Sequence, residues 1–589
     1  MCGIFTVLND KTNQAGETVL TGLKKLEYRG YDSWGIALID NKNQIKIEKQ
    51  IGKINQNQTS LPNGKIAIGH TRWATHGGIT EKNAHPHLDC QRQIAVIHNG
   101  IVENYLDLKN FLISKNHRFI SETDTEIIPH LIEENLKTLT IEKAVFKTFN
   151  QLVGSNAIII LDKNSDTIIG CRYGSPLVLG IDETNHQFFL ASDIPALLKH
   201  TNKVYFLNDL EMIVIKKTGF KLYNLKTFKE KSVNFETVNW KQEEAEKSGY
   251  AHFLIKEILE QPRTIEKTLI TNKNSFSQIK KILKNKKIVF LGCGSAYHVG
   301  VFAKYFFASQ KIKTDVYPAN EFDYFSSLID NQTLIIAISQ SGETADTIFA
   351  VKKAKEKKAH ILSIVNSRGS TLERLSDFIL PINVGPEIAV VSTKAFISQV
   401  IVVYILSQIF NYSINTVYQN INQLITNLKK FLTNKNLNQI IFLAKKLFQQ
   451  RHLYIIGKYL DYPASLEVAL KIKETAYLHA EAFASGELKH GVIALIEKNT
   501  PCLVIATDEE NKNDILSSAI EVKSRGGKII GISVFDSEVF DEKLIIPKIT
   551  LLSSIFAVII GQLIGYYSAI IKGLDPDKPR NLAKSVTVK

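Results

Sequence analysis

Cysteine is scarce and badly placed for bridging. The 589 residues hold 5 cysteines, Cys2, Cys90, Cys171, Cys293 and Cys502. The count is odd, the spacing wide, and no pair forms CxxC. That excludes a disulfide framework and leads us to expect a reducing, cytoplasmic setting. No leader precedes Cys2, so a lipidated cysteine of a secreted protein is not expected. Glycine, proline and methionine are also few, at 32, 14 and 2, beside abundant Lys, Asn and Ile. This biased usage explains the net charge of +14. The lysines are scattered, and neither a helix-turn-helix nor a clustered basic face is present, so no nucleic-acid partner is expected. Histidines gather at His70, His76, His85, His87 and His98. No acidic or thiol ligand recurs among them at metal spacing, so no metal is expected. One uncharged run, Leu551 to Ile571, has the length of a membrane span. Its Ser553, Ser554, Gln562, Tyr566, Tyr567 and Ser568 favour a helix buried between domains or subunits, and no membrane partner is expected.

The composition, 44% hydrophobic and 22% charged, suits several globular domains. Residues 1–240 read as α+β, with short apolar strands at Ile4 to Leu8, Gly35 to Ile39, Lys65 to Gly69, Ile94 to His98 and Ala157 to Leu161. Helices are expected over Asn104 to Ser114 and Thr123 to Glu134. Residues 241–283 read as a polar linker at 241–249 followed by a helix, Phe253 to Glu260, closed by Gln261-Pro262. From 284 the pattern becomes strand–helix alternation. Strands at Ile288 to Leu291, Leu334 to Ile338, Ile361 to Val365 and Phe378 to Ile382 belong to a domain over 284–424. The pattern restarts over 440–573, with Leu453 to Ile456, Leu503 to Ala506, Ile529 to Val534 and Leu544 to Ile546. Two such runs predict two doubly wound parallel α/β sheets, an internal duplication. Residues 574–589 form a polar tail.

The chemistry-bearing residues fall into groups. If Met1 is removed, Cys2 carries a thiol and a free α-amine. With an amine pKa of about 7.7–8.0, the amine can serve as the thiol's own base. Arg72 can clamp a carboxylate bidentately, and Asp124 can hold an ammonium at the other end of the same small molecule. Asn99 and Gly100 are the parts of an oxyanion hole. In Ser339-Gln340-Ser341-Gly342-Glu343-Thr344, hydroxyls and N–H groups open a helix and make a phosphate cradle. Gly292-Cys293-Gly294-Ser295 opens another helix the same way. The later glycine of a dinucleotide fingerprint is missing there. Lys471 and Glu474 lie three apart on one helical face, with Glu467 beside them. His490 is a candidate acid/base. Lys584, on the tail, becomes an imine-forming amine if the tail folds over a site, because desolvation favours neutral Lys.

The set Met1-Cys2-Gly3-Ile4, Glu27 to Ser33, Gly69 to Gly77, His98-Asn99-Gly100 and Thr123-Asp124 resembles the N-terminal-nucleophile glutamine amidotransferases. The later motifs resemble the two sugar isomerase (SIS) domains of the isomerising glutamine:fructose-6-phosphate aminotransferase family. The resemblance runs from Cys2 to the closing Pro579 to Val588 segment. It implies stacked antiparallel sheets with flanking helices before the two SIS domains. It also implies synthesis of glucosamine 6-phosphate and glutamate from fructose 6-phosphate and L-glutamine, the first step of amino-sugar synthesis. By this resemblance Cys2 attacks the glutamine amide and Asn99 and Gly100 hold the oxyanion. Arg72, Trp73, Thr75, His76 and Asp124 bind glutamine. Ser295, Ser339, Gln340, Ser341, Thr344, Val390, Ser392, Lys471 and Ala583 bind the sugar phosphate. His490 opens the ring, Lys584 forms the imine, and Glu474 moves the proton between C1 and C2. A homodimer without metal or organic cofactor is implied, as is an internal ammonia channel gated by Trp73. Two residues depart from the family. Ala296 stands where a Ser usually reaches the sugar, a role Ser295 could take, and Trp34 stands where a small residue is usual. Two alternatives stay open: the same glutaminase joined to another acceptor, and a non-catalytic sugar-phosphate-binding protein.

Overall fold

The strand Gly3–Leu8 sends its side chains alternately into two apolar layers. Ile4 and Leu8 enter one, Phe5 and Val7 the other. The computed structural model describes residues 2–9, 11–55, 58–238, 244, 246–284 and 286–587. The chain divides into two units, Met1–Ala245 with Ala583–Lys589, and Glu246–Leu582. Of the polar stretch expected as a linker, residues 241–243 and 245 lie outside the described residues.

The first unit is built on two antiparallel sheets. One has the order Glu236–Thr237, Lys203–Phe206, Val178–Asp182, Gln187–Ala191, Gly3–Leu8, Ile66–Arg72, Ser33–Ile39, Ile45–Ile51. The other runs Glu230–Lys231, Gly219–Asn224, Glu211–Lys216, Thr167–Tyr173, Asn156–Asp162, Ile94–Gly100, His87–Leu88. Ile4, Ala37 and Ile68 of the first sheet meet Ala95, Ile159 and Ile213 of the second in one buried layer. Helix Ala15–Leu26 covers the outer face of the first sheet through Val19, Leu23 and Leu26. Helices Ile127–Leu136 and Ile141–Phe149 cover the second through Ile128, Leu131, Val145 and Phe149. Trp34, the large residue at an expectedly small position, is 1% exposed and sits with Ile36 and Leu38 in the layer under Ala15–Leu26. Its indole N–H is buried without an acceptor, which costs roughly 1–3 kcal/mol.

One helix starts later than expected. Thr123 to Glu126 forms a turn, and the helix begins at Ile127. The Glu126 carboxylate takes the Ile120 and Ser121 N–H groups, so the cap-type residues close that turn instead.

The second unit holds two parallel five-stranded sheets. Their orders are Thr314–Pro318, Lys287–Gly292, Thr333–Ser339, His360–Val365, Phe378–Pro381, and His479–Ala484, His452–Gly457, Pro501–Ala506, Lys528–Ser533, Glu542–Ile545. Both follow the doubly wound order 2-1-3-4-5, so the duplication extends to topology. Each sheet has one strand more than the apolar runs indicated, and both extra strands are edges. Gln261-Pro262 opens helix Gln261–Asn272 as well as closing Phe253–Leu259, since a first helical turn tolerates Pro.

Helix Ser554–Ile571 is long and apolar enough to cross a membrane, yet 83% of it is buried within the fold. It is a core helix, and it lies against helix Asp461–Ala476. Close approach rests on Gly561 and Gly565. A Cβ on Gly561 would meet Val468 Cγ1 at 2.7 Å, and one on Gly565 would meet Thr475 Oγ1 at 2.4 Å. We predict that Gly565→Val destabilises the protein by roughly 1–3 kcal/mol through overpacking. A thermal melt of the variant at or above the wild-type midpoint would show that the two helices have room to part.

Candidate functional site

Cys2 stands one residue before a central strand, and register sets its neighbours. Gly3 pairs with Thr71 across the sheet, and the Gly3 N–H donates to Thr71 Oγ1 at 3.1 Å. Arg72 and Trp73 therefore arrive beside Cys2. The Trp73 N–H points at Cys2 Sγ at 3.3 Å, and Sγ lies 3.7 Å from the Trp73 carbonyl. Burial pushes the Cys2 thiol up, while the Trp73 N–H and the Arg72 charge pull it down and Asp32 raises it. The resting group is thus a thiol that needs a base.

Asn99 closes the other side. His70 Nε2 lies 3.0 Å from the His98 carbonyl and 3.1 Å from Asn99 Oδ1, so it donates to both. Burial, above all, pushes the His70 imidazole down to about 3, keeping it neutral. With Oδ1 held by His70, Asn99 Nδ2 donates to the Cys2 carbonyl at 2.9 Å. Gly100 follows at φ +146, where a Cβ would sit 2.0 Å from the Ser155 carbonyl, so no other residue fits.

Arg72 is 3% exposed and donates to the carbonyls of His76, Gly77 and Gly78, shaping that loop. Its guanidinium is lowered first by burial, against the charges of Cys2, Asp32 and Asp124. Asp124, 3% exposed, accepts from the Val102 N–H at 2.7 Å. The His76 ring stands edge-on to Tyr105 at 5.5 Å, Trp73 is half-buried and Thr75 is exposed. Three of the histidines weighed as metal ligands, His70, His85 and His98, make hydrogen bonds in this frame. His85 stacks on His70 at 4.2 Å, and its Nδ1 accepts from the His98 N–H at 3.3 Å. His98 Nε2 meets Asn156 Oδ1 at 2.8 Å.

In the second unit the loop after Thr333–Ser339 leads into helix Ala345–Glu356. The Gly342 N–H donates to Ser339 Oγ at 3.0 Å, and the Glu343 N–H donates to Ser341 Oγ at 3.1 Å. Ser339 and Thr344 hydroxyls lie 3.2 Å apart. The Gln340 carbonyl accepts from the Asn366 N–H at 3.1 Å. Thr344, at the N-cap, makes no side-chain cap bond, so first-turn N–H groups stay available to an anion.

Helices Ser295–Ser309 and Asp461–Ala476 meet through buried charge. Glu467 is fully buried and accepts from Ser295 Oγ at 2.9 Å and from His298 Nδ1 at 2.7 Å. Lys471 Nζ lies 3.3 Å from Glu467, 2.7 Å from Glu474 and 3.0 Å from Ser295 Oγ. Burial pushes Lys471 down, but Glu467 and Glu474 outweigh it and hold the ammonium above its ordinary range. Ser295 Oγ is thus engaged by Glu467 and Lys471, leaving one lone pair. His298 and Glu467 complete this cluster; Glu467 was expected only beside Lys471 and Glu474, and His298 was not singled out because it belongs to no short motif.

The run from Glu387 to Lys394 is folded around the Glu387 carboxylate, which takes the Thr393 and Ala395 N–H groups at 3.0 Å and Ser392 Oγ at 3.4 Å. The Val390 N–H donates to the Asp577 carbonyl at 3.0 Å. Asp577 also receives the Phe253 and Leu254 N–H groups, and Arg580 stacks on Tyr477 at 4.3 Å, so the start of the tail is docked. Ala583 and Lys584 fall in the first unit. His490 lies exposed on a short turn, with no hydrogen bond or ion pair among the described residues.

The second sheet has no matching cradle. Thr507-Asp508-Glu509-Glu510 follows its third strand, Pro501–Ala506, where Ser339 to Thr344 follows the third strand of the first sheet. Three carboxylates there repel a phosphate. Asp461, 4% exposed, accepts from the Thr507 N–H at 2.8 Å and Thr507 Oγ1 at 2.5 Å, with no cation paired to it among the described residues. Burial pushes its carboxyl up from 3.8 to about 7, against the Thr507 bonds and with Asp508 adding to the rise. A folded pKa above the unfolded one gives stability that is full below about pH 4 and lost as pH rises through 7. At about 1.4 kcal/mol per pH unit the loss is on the order of a few kcal/mol. We predict that Asp461→Asn removes this decline. Melting midpoints of variant and wild type that run parallel between pH 4 and 8 would disprove it.

Set beside known proteins, residues 70–199 match the glutamine amidotransferase domain family, and residues 281–408 and 446–566 match the SIS domain family. The chain is 42% identical over 616 residues to the glutamine–fructose-6-phosphate aminotransferase (isomerizing) of Caldanaerobacter subterraneus subsp. tengcongensis, covering 100% of both. It is 41% identical over 603 residues to the protein of the same name from Pyrococcus horikoshii, again covering 100% of both. Among solved structures, the C-terminal domain of glucosamine-fructose-6-phosphate aminotransferase from Francisella tularensis aligns with a TM-score of 0.52 at 32% identity, covering 57% of this chain and 100% of that one.

Proposed function

We propose, for a chain that belongs to the glutamine–fructose-6-phosphate aminotransferase (isomerizing) family, a division of that activity between two separate sets of residues. The protein converts fructose 6-phosphate and glutamine into glucosamine 6-phosphate and glutamate, with a glutamine amidotransferase domain and SIS domains. The observation that carries the residue assignment is the fixed amide of Asn99, turned by His70 toward Cys2.

Cys2 Sγ adds to the glutamine side-chain carbonyl carbon. Its proton passes to the α-amine of Cys2, freed by removal of Met1, which lies outside the described residues, and then to the leaving nitrogen. Ammonia departs, and water hydrolyses the thioester to glutamate. Asn99 Nδ2 and the Gly100 N–H stabilise the oxyanion. Arg72 and Asp124 hold the α-carboxylate and α-amine of glutamine, with Trp73, Thr75 and His76 around them. Both charged groups are buried, and Arg72 interacts with the charges of Cys2 and Asp124, which supports this reading.

Ser339, Gln340, Ser341 and Thr344 take the sugar phosphate at the start of Ala345–Glu356. His490 assists ring opening, Lys584 forms the imine at C2, and Glu474 moves a proton between C1 and C2. Val390, Ser392, Ser295 and Ala583 line the sugar. Lys471 is held as an ammonium by Glu467 and Glu474, which disfavours it as the imine lysine and leaves that role to Lys584. The ammonia from glutamine becomes the amino group of the product. We place the protein in the cytoplasm as a homodimer, with the domains at 1–240, 284–424 and 440–573 and a closing tail at 574–589.

Cys2→Ala is expected to lower glutamine-dependent synthesis by roughly a thousandfold or more while isomerisation of fructose 6-phosphate stays measurable. The assay follows glutamate, amino sugar and isomerised hexose phosphate together. Glutamate release at the wild-type rate would remove Cys2 as nucleophile.

Borohydride added with fructose 6-phosphate is expected to leave a sugar-phosphate mass on the peptide containing Lys584. Lys584→Arg is expected to lose synthesis and keep glutamine hydrolysis. Trapping at Lys471 or Lys489, with Lys584 unmodified, would overturn the imine assignment.

A further inference from the structure

Four side chains of the first unit converge with the geometry of a metal centre, apart from the residues assigned above. Cys90 lies in the turn after His87–Leu88, His117 follows helix Tyr105–Ser114, and His130 and Glu133 sit three apart on helix Ile127–Leu136. Their ligand atoms all lie within 4.8 Å of one another. Cys90 Sγ is 3.7 Å from His117 Nδ1 and 3.5 Å from His130 Nδ1. The two Nδ1 atoms are 3.3 Å apart. Glu133 Oε2 is 3.2 Å from His117 Nδ1 and 3.6 Å from His130 Nδ1. A zinc tetrahedron with bonds of about 2.0–2.3 Å has edges of about 3.3–3.7 Å. The five separations above run from 3.2 to 3.7 Å, close to those edges, and the Cys90–Glu133 pair lies within 4.8 Å.

A plain hydrogen-bond cluster accounts for the arrangement less well. His117 Nε2 lies 3.2 Å from Glu134 Oε2, a carboxylate that can only accept, so the neutral ring carries its proton on Nε2. Nδ1 then presents a lone pair to Glu133 Oε2, a second acceptor, at 3.2 Å. Two acceptors face each other unless a proton or a cation stands between them. His117 and His130 are 8% and 1% exposed, so the repulsion is poorly screened by water. The Nε2–Glu134 bond is also the outer contact that orients a metal-bound imidazole.

We propose that Cys90, His117, His130 and Glu133 bind one zinc ion. Thiolate, two neutral imidazoles and one carboxylate give the charge −2 that a divalent ion neutralises. Sulfur and imidazole donors select against magnesium and calcium. Binding releases the thiol proton to solvent and needs no redox partner. Four protein ligands complete the tetrahedron and leave no position for a substrate water, so the site is structural. It pins the 89–92 turn and the segment at His117 to helix Ile127–Leu136, which starts three residues after Asp124. Cys90 is exposed and gives the ion its path from solvent.

The test uses tag-free full-length protein dialysed against zinc chloride and then against buffer without zinc. We expect about one zinc per chain by elemental analysis. Cobalt(II) chloride added to chelator-stripped protein should give tetrahedral ligand-field bands and a thiolate-to-cobalt charge-transfer band. Cys90→Ala should abolish the charge-transfer band and reduce zinc to background, and chelation should lower the wild-type melting temperature. Background zinc in the wild type with no cobalt–thiolate band would overturn the site, as would Cys90→Ala retaining a full equivalent. Because the cobalt spectrum is read on the wild type, a variant that fails to fold does not decide the matter.

Discussion

In the first unit Gly3–Leu8 has a strand on either side and an apolar layer on either face, so none of its five side chains can reach a ligand. Reactive groups must stand where such strands stop. Cys2 precedes this strand, Arg72 ends its neighbour, and Asn99 and Gly100 end a strand of the facing sheet. Ser339 ends the third strand of a parallel sheet, where the doubly wound order puts ligands. Antiparallel register does the rest for Cys2. Once Gly3 is opposite Thr71, Trp73 must fall near the thiol; a slip of one residue would turn every side chain of the strand to the wrong face.

Duplication copied the sheet but not its chemistry. Equivalent loops read Ser-Gln-Ser-Gly-Glu-Thr in one copy and Thr-Asp-Glu-Glu in the other, so the electrostatics favour an anion at the first loop and oppose one at the second. The copies are instead joined by shared buried charge. One contributes Ser295 and His298, the other Glu467, Lys471 and Glu474. A fully buried Glu467 alone would be strongly destabilising. With an ammonium at 3.3 Å and two further donors its charge is matched, though such a pair adds little net stability over an apolar core. What it provides is a specific contact between Ser295–Ser309 and Asp461–Ala476, while Gly561 and Gly565 let Ser554–Ile571 approach the latter helix closely.

Much of this was legible in the sequence because buried strands in parallel sheets are unbroken apolar runs. Every run singled out between Ile288 and Ile546 falls on a strand. The strands of these two sheets that escaped notice, Thr314–Pro318 and His479–Ala484, are edges, half solvated, with alternating or interrupted apolarity. Candidate site residues stood out in the sequence where a short motif carried them, as with Cys2, Asn99-Gly100 and Ser339 to Thr344. His70 as the group that orients Asn99 was not legible, since its role depends on a contact between two sheets. Nor was His298, whose partner lies 169 residues away. The histidines near His70 drew attention as metal ligands because they are close in sequence, whereas the set that fits a metal is spread from Cys90 to Glu133.

Buried charge has to be matched within each unit separately. Around Glu467 the cation is covalent, Lys471, and the cluster is complete without an ion. Around His117 the acceptors are Glu133 on one nitrogen and Glu134 on the other, with Cys90 Sγ adjoining, and Lys137, its side chain 59% exposed, pairs with the outer carboxylate. No lysine or arginine reaches the inner four atoms in the ion pairs of the described residues. Glu133 Oε2 does accept the Cys90 N–H at 3.0 Å, but that bond brings no positive charge to the carboxylate. A soluble divalent cation resolves the second case as Lys471 resolves the first.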